Sequence, residues 1–238
     1  VSIPNDTRFE RPAAAMIERF QTDLITWYDA NGRSFPWRDT TDPFAVLLAE
    51  VMLQRTQAPQ AKRIFAAFLD RHPTPQAVLA GDPGLLEEEL SGLGLRHRAK
   101  RVLQLCRELV ERYGGRVPEE AEELVSLPGV GPYTLHAVQC FGYGRDVPIV
   151  DRNVVRVLTR VFGYLPSAAR AHTDRGMWRL AALLVPPGRA RPYNLALLDL
   201  AATVCTARPH HGRCPLTVYC HHYRTQRSGA GHSGVDSV

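Results

Sequence analysis

Apolar positions recur at helical spacing along most of the chain. From Ala13 to Ala30 the stripe Ile17, Phe20, Leu24, Trp27 and Tyr28 predicts a helix, which Asn31-Gly32 ends. Similar patterns predict helices at about 44–56, 59–71, 75–80, 83–90, 96–113, 119–126, 133–141, 151–162, 174–184 and 192–204, with proline and glycine between them. No strand pattern or internal repeat interrupts them, so the expected fold class is all-α. Residues 1–11 carry no signal. The small polar residues of the tail, 225–238, are expected to be disordered.

Two departures from plain amphipathic patterning stand out. In the stretch Phe44 to Thr56, Glu50 has apolar residues on both sides. A carboxylate there either lies on the polar face of the helix or is buried, and burial is costly without a partner or a pocket. The second departure is Leu127-Pro-Gly-Val-Gly-Pro-Tyr133, which joins two helical patterns. Gly129 and Gly131 are expected where a Cβ would clash in a tight turn. Amides near the start of a helix favour an anion such as phosphate. A carboxylate, Asp151, follows about twenty residues on, opening the next helix; an N-cap is its plainest role.

Charge and cysteine usage narrow the picture. The 238 residues carry a net charge of +5, and 27 of the 29 basic residues are arginine, a side chain that forks onto phosphate. A basic balance suits a polyanionic partner. The basic residues Arg96, Arg98, Lys100 and Arg101 read most simply as a solvated face. The longest apolar run, Phe44 to Leu53, contains Glu50 and is too short to span a membrane. No signal peptide is recognisable. Three of the five cysteines crowd into 205–220, which fits an intracellular metal site better than a disulfide framework.

Leu-Pro-Gly-Val-Gly, the aromatic two residues on, and Val-Asp-Arg-Asn-Val-Val-Arg-Val at 150–157 together resemble the helix-hairpin-helix DNA glycosylase superfamily (endonuclease III-like). Phe35-Pro-Trp-Arg38 and Glu50-Val-Met-Leu-Gln-Arg55 are similar to its adenine and mismatch glycosylases. The resemblance covers about Phe35 to Tyr223. It implies two helical domains with DNA in the cleft between them. One is a bundle at 36–146 holding the hairpin motif (about 119–142); the other joins 12–35 to 147–224.

The same resemblance assigns roles. Asp151 is the catalytic carboxylate, Glu50 enters the base pocket, and Gln54 wedges into the duplex beside Arg55. Gly129 and Gly131 grip DNA backbone. Strand-cleaving members carry a lysine where Tyr133 stands, so a monofunctional enzyme is expected. Tyrosine there resembles the thymine/uracil–guanine mismatch glycosylases. Adenine glycosylases, which have a long C-terminal domain where this chain ends soon after its cysteines, are the alternative. A non-catalytic DNA-binding module is another. Cys205, Cys214 and Cys220 resemble the family's iron–sulfur loop, C-x6-C-x2-C-x5-C, with His211 near the missing second cysteine. A [4Fe–4S] cluster on Cys205, His211, Cys214 and Cys220 is therefore expected, with a Cys3His zinc site or no metal as alternatives. The expected partner is double-stranded DNA with a mismatched or damaged base. No membrane is expected, and the protein is expected to be monomeric, cytoplasmic and nucleoid-associated.

Overall fold

The computed structural model describes residues 11–54, 56–91, 97–168 and 170–230. They form helices and turns, with no strand among the described residues. None of the described helices is long and apolar enough to cross a membrane. Two compact units emerge. Ser34–Arg145 is a continuous insertion, and the other unit is made by the chain on either side of it, up to Arg33 and from Asp146.

Helix α1 (Ala14–Asn31) starts the outer unit. The inserted unit holds α2 (Pro43–Leu53), α3 (Ala58–Arg71), α4 (Pro75–Ala80), α5 (Pro83–Ser91), α6 (His97–Tyr113), α7 (Ala121–Ser126) and α8 (Pro132–Ala137). At its centre is α2. Pro43 supplies the first helical position, and Asp42 caps the helix by accepting from the Phe44 amide at 3.0 Å. Every residue from Phe44 to Met52 is buried, so α2 has no polar face there. It packs against α3, α6 and α8. The stretch expected as one helix to Phe141 is α-helical only to Ala137. From Val138 to Gly142 it widens into a π-helical turn, which also packs on α2. A Cβ on Gly142 would lie 3.1 Å from the Pro43 Cα, so glycine permits this close backbone approach.

After Asp146 the outer unit resumes with α9 (Arg152–Phe162), α10 (Arg175–Leu183), α11 (Ala190–Thr203) and α12 (His221–Ala230). Helix α11 is its spine and packs on α1 and α9. Phe20 meets Phe162 and Tyr193 edge-on, with ring centroids 5.1 and 6.2 Å apart. Two buried carboxylates are fully engaged. Asp199 of α11 receives the Arg33 amide and guanidinium, each at 2.7 Å. Asp174 caps α10 through the Met177 amide and accepts from the Tyr164 hydroxyl and from Ser167. Burial alone would push the Asp174 pKa up, but these bonds outweigh it and hold the carboxyl down at about 2. Residues 225–230, expected in a disordered tail, are the last turns of α12, which packs on α9. The polar sequence of α12 hides this because tertiary contact, not an apolar stripe, holds it. The rest of the expected tail, 231–238, lies outside the described residues.

Candidate active site

Within the inserted unit, α7 and α8 flank the glycine turn. Leu127 and Val130 are buried and anchor it, while Gly129 between them is exposed. Gly129 has φ +82°, a left-handed conformation that requires glycine. Gly131 differs from expectation. Its φ is −104°, open to any residue, and a Cβ there would meet nothing within 4 Å. The turn's own geometry therefore does not demand glycine at 131; the space beside it is open.

Gln54 leaves the end of α2 with φ −58° and ψ 111°. Its amide nitrogen donates to the Gly129 carbonyl at 2.8 Å, and its amide oxygen accepts from Arg101 Nη1, also at 2.8 Å. The structure thus brings Gln54 and the hairpin together. It also corrects the reading of Arg101, which is half-buried and bound to Gln54 instead of lying on a solvated face. Glu50 is only 7 % exposed, one helical turn before Gln54, so the polar-face reading of that carboxylate does not hold. Tyr133 is half-buried at the second position of α8. Arg55 lies outside the described residues.

Asp151 belongs to the outer unit, where it caps α9. Its Oδ1 accepts from the Asn153 and Val154 amides at 2.8 and 2.7 Å, and its Oδ2 from Asn153 Nδ2 at 2.8 Å. Asn153 is held in turn. Its Oδ1 receives Arg156 Nη1 at 3.0 Å, and Arg156 donates onward to the carbonyls of Cys205 and Ala201 at 2.8 and 2.9 Å. Before Asp151, the buried Asn194 accepts from the Ile149 amide at 3.1 Å and donates to the Val147 carbonyl at 2.9 Å. The sequence reading missed all three side chains. Asn153 and Arg156 stood three apart in the quoted motif, the spacing that places side chains together on a helix. Asn194 gave no such signal, since its partners lie more than forty residues away.

Cys205, Cys214 and Cys220 are free thiols lining one small cavity with His211 and His222. His210 and His221 are not among its lining residues. The His211 ring lies 4.7 Å from the Tyr223 ring and 6.2 Å from that of His222. Arg160 closes the cavity, donating to the Thr206 and Ala207 carbonyls and to Cys205 Sγ. Burial pushes the Cys214 thiol up to about 11, and the neighbouring Cys205 and Cys220 push it the same way. Burial likewise raises Cys220. Among the described residues, no three His, Cys, Asp or Glu side chains stand in a metal-holding arrangement. The donor types nevertheless fit a thiolate-ligated metal: three thiols and two imidazoles on one cavity, whose protons a metal would displace.

Two helices joined by a glycine hairpin next to a deeply buried helix, followed later in the sequence by an aspartate that caps a helix, are the marks of a helix-hairpin-helix protein. Residues 48–182 match the HhH-GPD superfamily of base excision DNA repair proteins, and the chain belongs to that superfamily. It is 41% identical over 212 residues to a thymine-DNA glycosylase of Aeropyrum pernix, covering 87% of this chain and 95% of that one. To an adenine DNA glycosylase of Mycolicibacterium smegmatis it is 39% identical, over 82% of this chain and 67% of the other. The structure of a thermostable thymine-DNA glycosylase superposes with a TM-score of 0.84 at 33% identity, over 89% of this chain and 98% of that one.

Proposed function

We propose that this member of the superfamily is a monofunctional DNA glycosylase that hydrolyses the N-glycosidic bond of thymine or uracil mispaired with guanine. The observation that carries the proposal is the Asp151 carboxylate, fixed by two amides and by Asn153 at the head of α9. In this reading the hairpin at Gly129 and Gly131 holds DNA backbone and the base leaves the stack. Glu50 hydrogen-bonds the extruded base. As the bond from C1′ to the base breaks, the electron pair leaves with the base and positive charge grows on the sugar. The fixed Asp151 carboxylate stabilises that charge, and water adds to C1′, its proton passing through solvent to the departed base anion. Tyr133 cannot replace a lysine amine as the nucleophile, since a phenol oxygen forms no Schiff base. The product is an intact strand with an abasic site.

Adenine removal is the second reading, favoured by the Mycolicibacterium relative and by Glu50-Val-Met-Leu-Gln54. The deciding experiment is a panel of labelled duplexes carrying T·G, U·G, A·G and A·oxidised-G, treated with alkali after incubation. Release of thymine or uracil, with no nick until alkali is added, is the expected result. Adenine release selects the second reading. Binding without any release makes the protein a non-catalytic module.

Cys205, Cys214 and Cys220 with His211 would hold a [4Fe–4S] cluster, whose contribution when bound is to shape the loop. Protein purified without oxygen is expected to contain about four irons per chain and to be yellow-brown. His211→Ala is expected to lower the iron content; one tightly bound zinc per chain would select the zinc site instead.

A further inference from the structure

The tie between Gln54, Arg101 and Gly129 has a chemical asymmetry. Gln54 sits with both ends of its amide satisfied, one by the exposed Gly129 carbonyl and one by Arg101. The Arg101 stem lies over Gly129: a Cβ there would stand 3.0 Å from Arg101 Cδ and 3.7 Å from Nε. A guanidinium is thus stationed at the hairpin turn, over Gly129. Among the described residues no carboxylate pairs with it, and the side chain it donates to, Gln54, is a neutral amide. A phosphate oxygen is charged and accepts two parallel donors, and such bonds are roughly twice as strong as those to a neutral acceptor.

We propose that Arg101 is a latch residue that exchanges Gln54 for a DNA phosphate. In the free protein it holds Gln54 folded against the hairpin. When the turn takes hold of the backbone, the fork swings to a phosphate oxygen and the Gln54 amide oxygen loses its donor. The remaining bond to the exposed Gly129 carbonyl is weak enough to break, so Gln54 is freed into the duplex only after the backbone is gripped. Gripping thereby precedes wedging, and an unloaded enzyme keeps its wedge folded. This rests on the reading that Gln54 enters the duplex. Arg101 acts through Gln54 and the backbone and is a positioning residue.

The test is a double-mutant cycle of affinity for an undamaged 20-base-pair duplex, titrated with salt. The proteins are wild type, Gln54→Ala, Arg101→Met and the double variant. Removing Gln54 leaves Arg101 free for phosphate, so the affinity change caused by Gln54→Ala is expected to be about 2–10-fold more favourable when Arg101 is present than in the Arg101→Met background. The wedge contact is lost with Gln54 in either background, so it cancels from that ratio, which reads the latch alone. Arg101→Met should also make the slope of log affinity against log salt shallower by about 0.9, one phosphate contact. Arg101→Lys keeps a charge for the phosphate and should keep the slope, which separates lost contact from lost folding. An equal effect of Gln54→Ala in both backgrounds overturns the latch. So does an unchanged slope in Arg101→Met, or a slope lost equally in Arg101→Lys. Wild-type excision of T·G or U·G is measured in parallel. Its absence with an intact cycle sinks the glycosylase reading alone; a failed cycle with normal excision sinks the latch alone.

Discussion

Asp151 and Gln54 are held by hydrogen bonds of opposite character, three at the carboxylate and two at the amide. Three donors fix the Asp151 carboxylate; two belong to the backbone of α9, and the third, from Asn153, is itself braced by Arg156. Nothing there can move without breaking the first turn of a helix. Gln54 counts its own two bonds and the packing of Arg101 on Gly129, all among side chains or an exposed turn. The contrast fits the two duties proposed for these residues. A group that must meet developing charge gains from being fixed in advance. A group that must enter another molecule gains from bonds it can trade.

The hardest blow to this comparison is Asp151→Asn. Single-turnover excision is expected to fall about a thousandfold, with duplex affinity retained. Near-wild-type turnover would remove Asp151 from the chemistry and leave it only a cap. Next is Asn153→Ala, which leaves both backbone donors in place. About a hundredfold loss of rate is expected from a carboxylate no longer held in orientation. The melting temperature should hardly change, because the Asn153 side chain is exposed. A loss of stability with full activity would make the bracing structural instead.

Asp174 sharpens the contrast as a capping aspartate with no assigned chemistry. Its pKa is depressed to about 2, so its contribution is fully present above the ordinary carboxylate range. It is lost as pH falls from about 4 toward 2. Asp174→Asn is expected to cost about 2 kcal/mol at neutral pH, measured by denaturant unfolding, and to flatten the stability profile below pH 4. Excision at 25 °C should be unaffected. The smallest effect belongs to the hairpin. Gly129→Ala should destabilise by about 1–2 kcal/mol, since its φ is left-handed. Gly131→Ala should leave stability unchanged and still weaken duplex binding, because the new methyl fills only the open space beside the turn. Equal melting losses in both would mean that the turn needs both glycines for its own shape.

Much of the helical order could be read from spacing, because α1, α3 and α9 carry apolar residues at helical intervals on one face. The widening at Val138 was not legible: an apolar run looks the same in α- and π-turns, and the backbone that Gly142 approaches, at Pro43, is far away in sequence. Helix α12 was missed for a related reason, being polar and held by packing. At the site, Asp151, Glu50 and the hairpin glycines were visible as residues out of keeping with their neighbours. Arg101 was not. A basic residue in a basic run reads as surface, and only the fold shows that it meets a glutamine 47 positions earlier. Asn194 was hidden likewise, its amide spent on a segment that only folding brings near.

The outer unit is assembled from both sides of the insertion, and this sets a schedule for synthesis. Helix α1 leaves the ribosome ahead of its partner, since α11, the helix it packs against, begins at Ala190. At about 5–20 residues per second, α1 waits on the order of ten to thirty seconds for its partner. Phe20, fully buried in the finished molecule, lacks both of its ring partners until Phe162 is made and the second until Tyr193 follows. The insertion, Ser34–Arg145, is complete well before then. The nascent chain therefore carries a finished bundle tethered to a sticky, orphaned helix, and that helix is the segment on which holding chaperones should act.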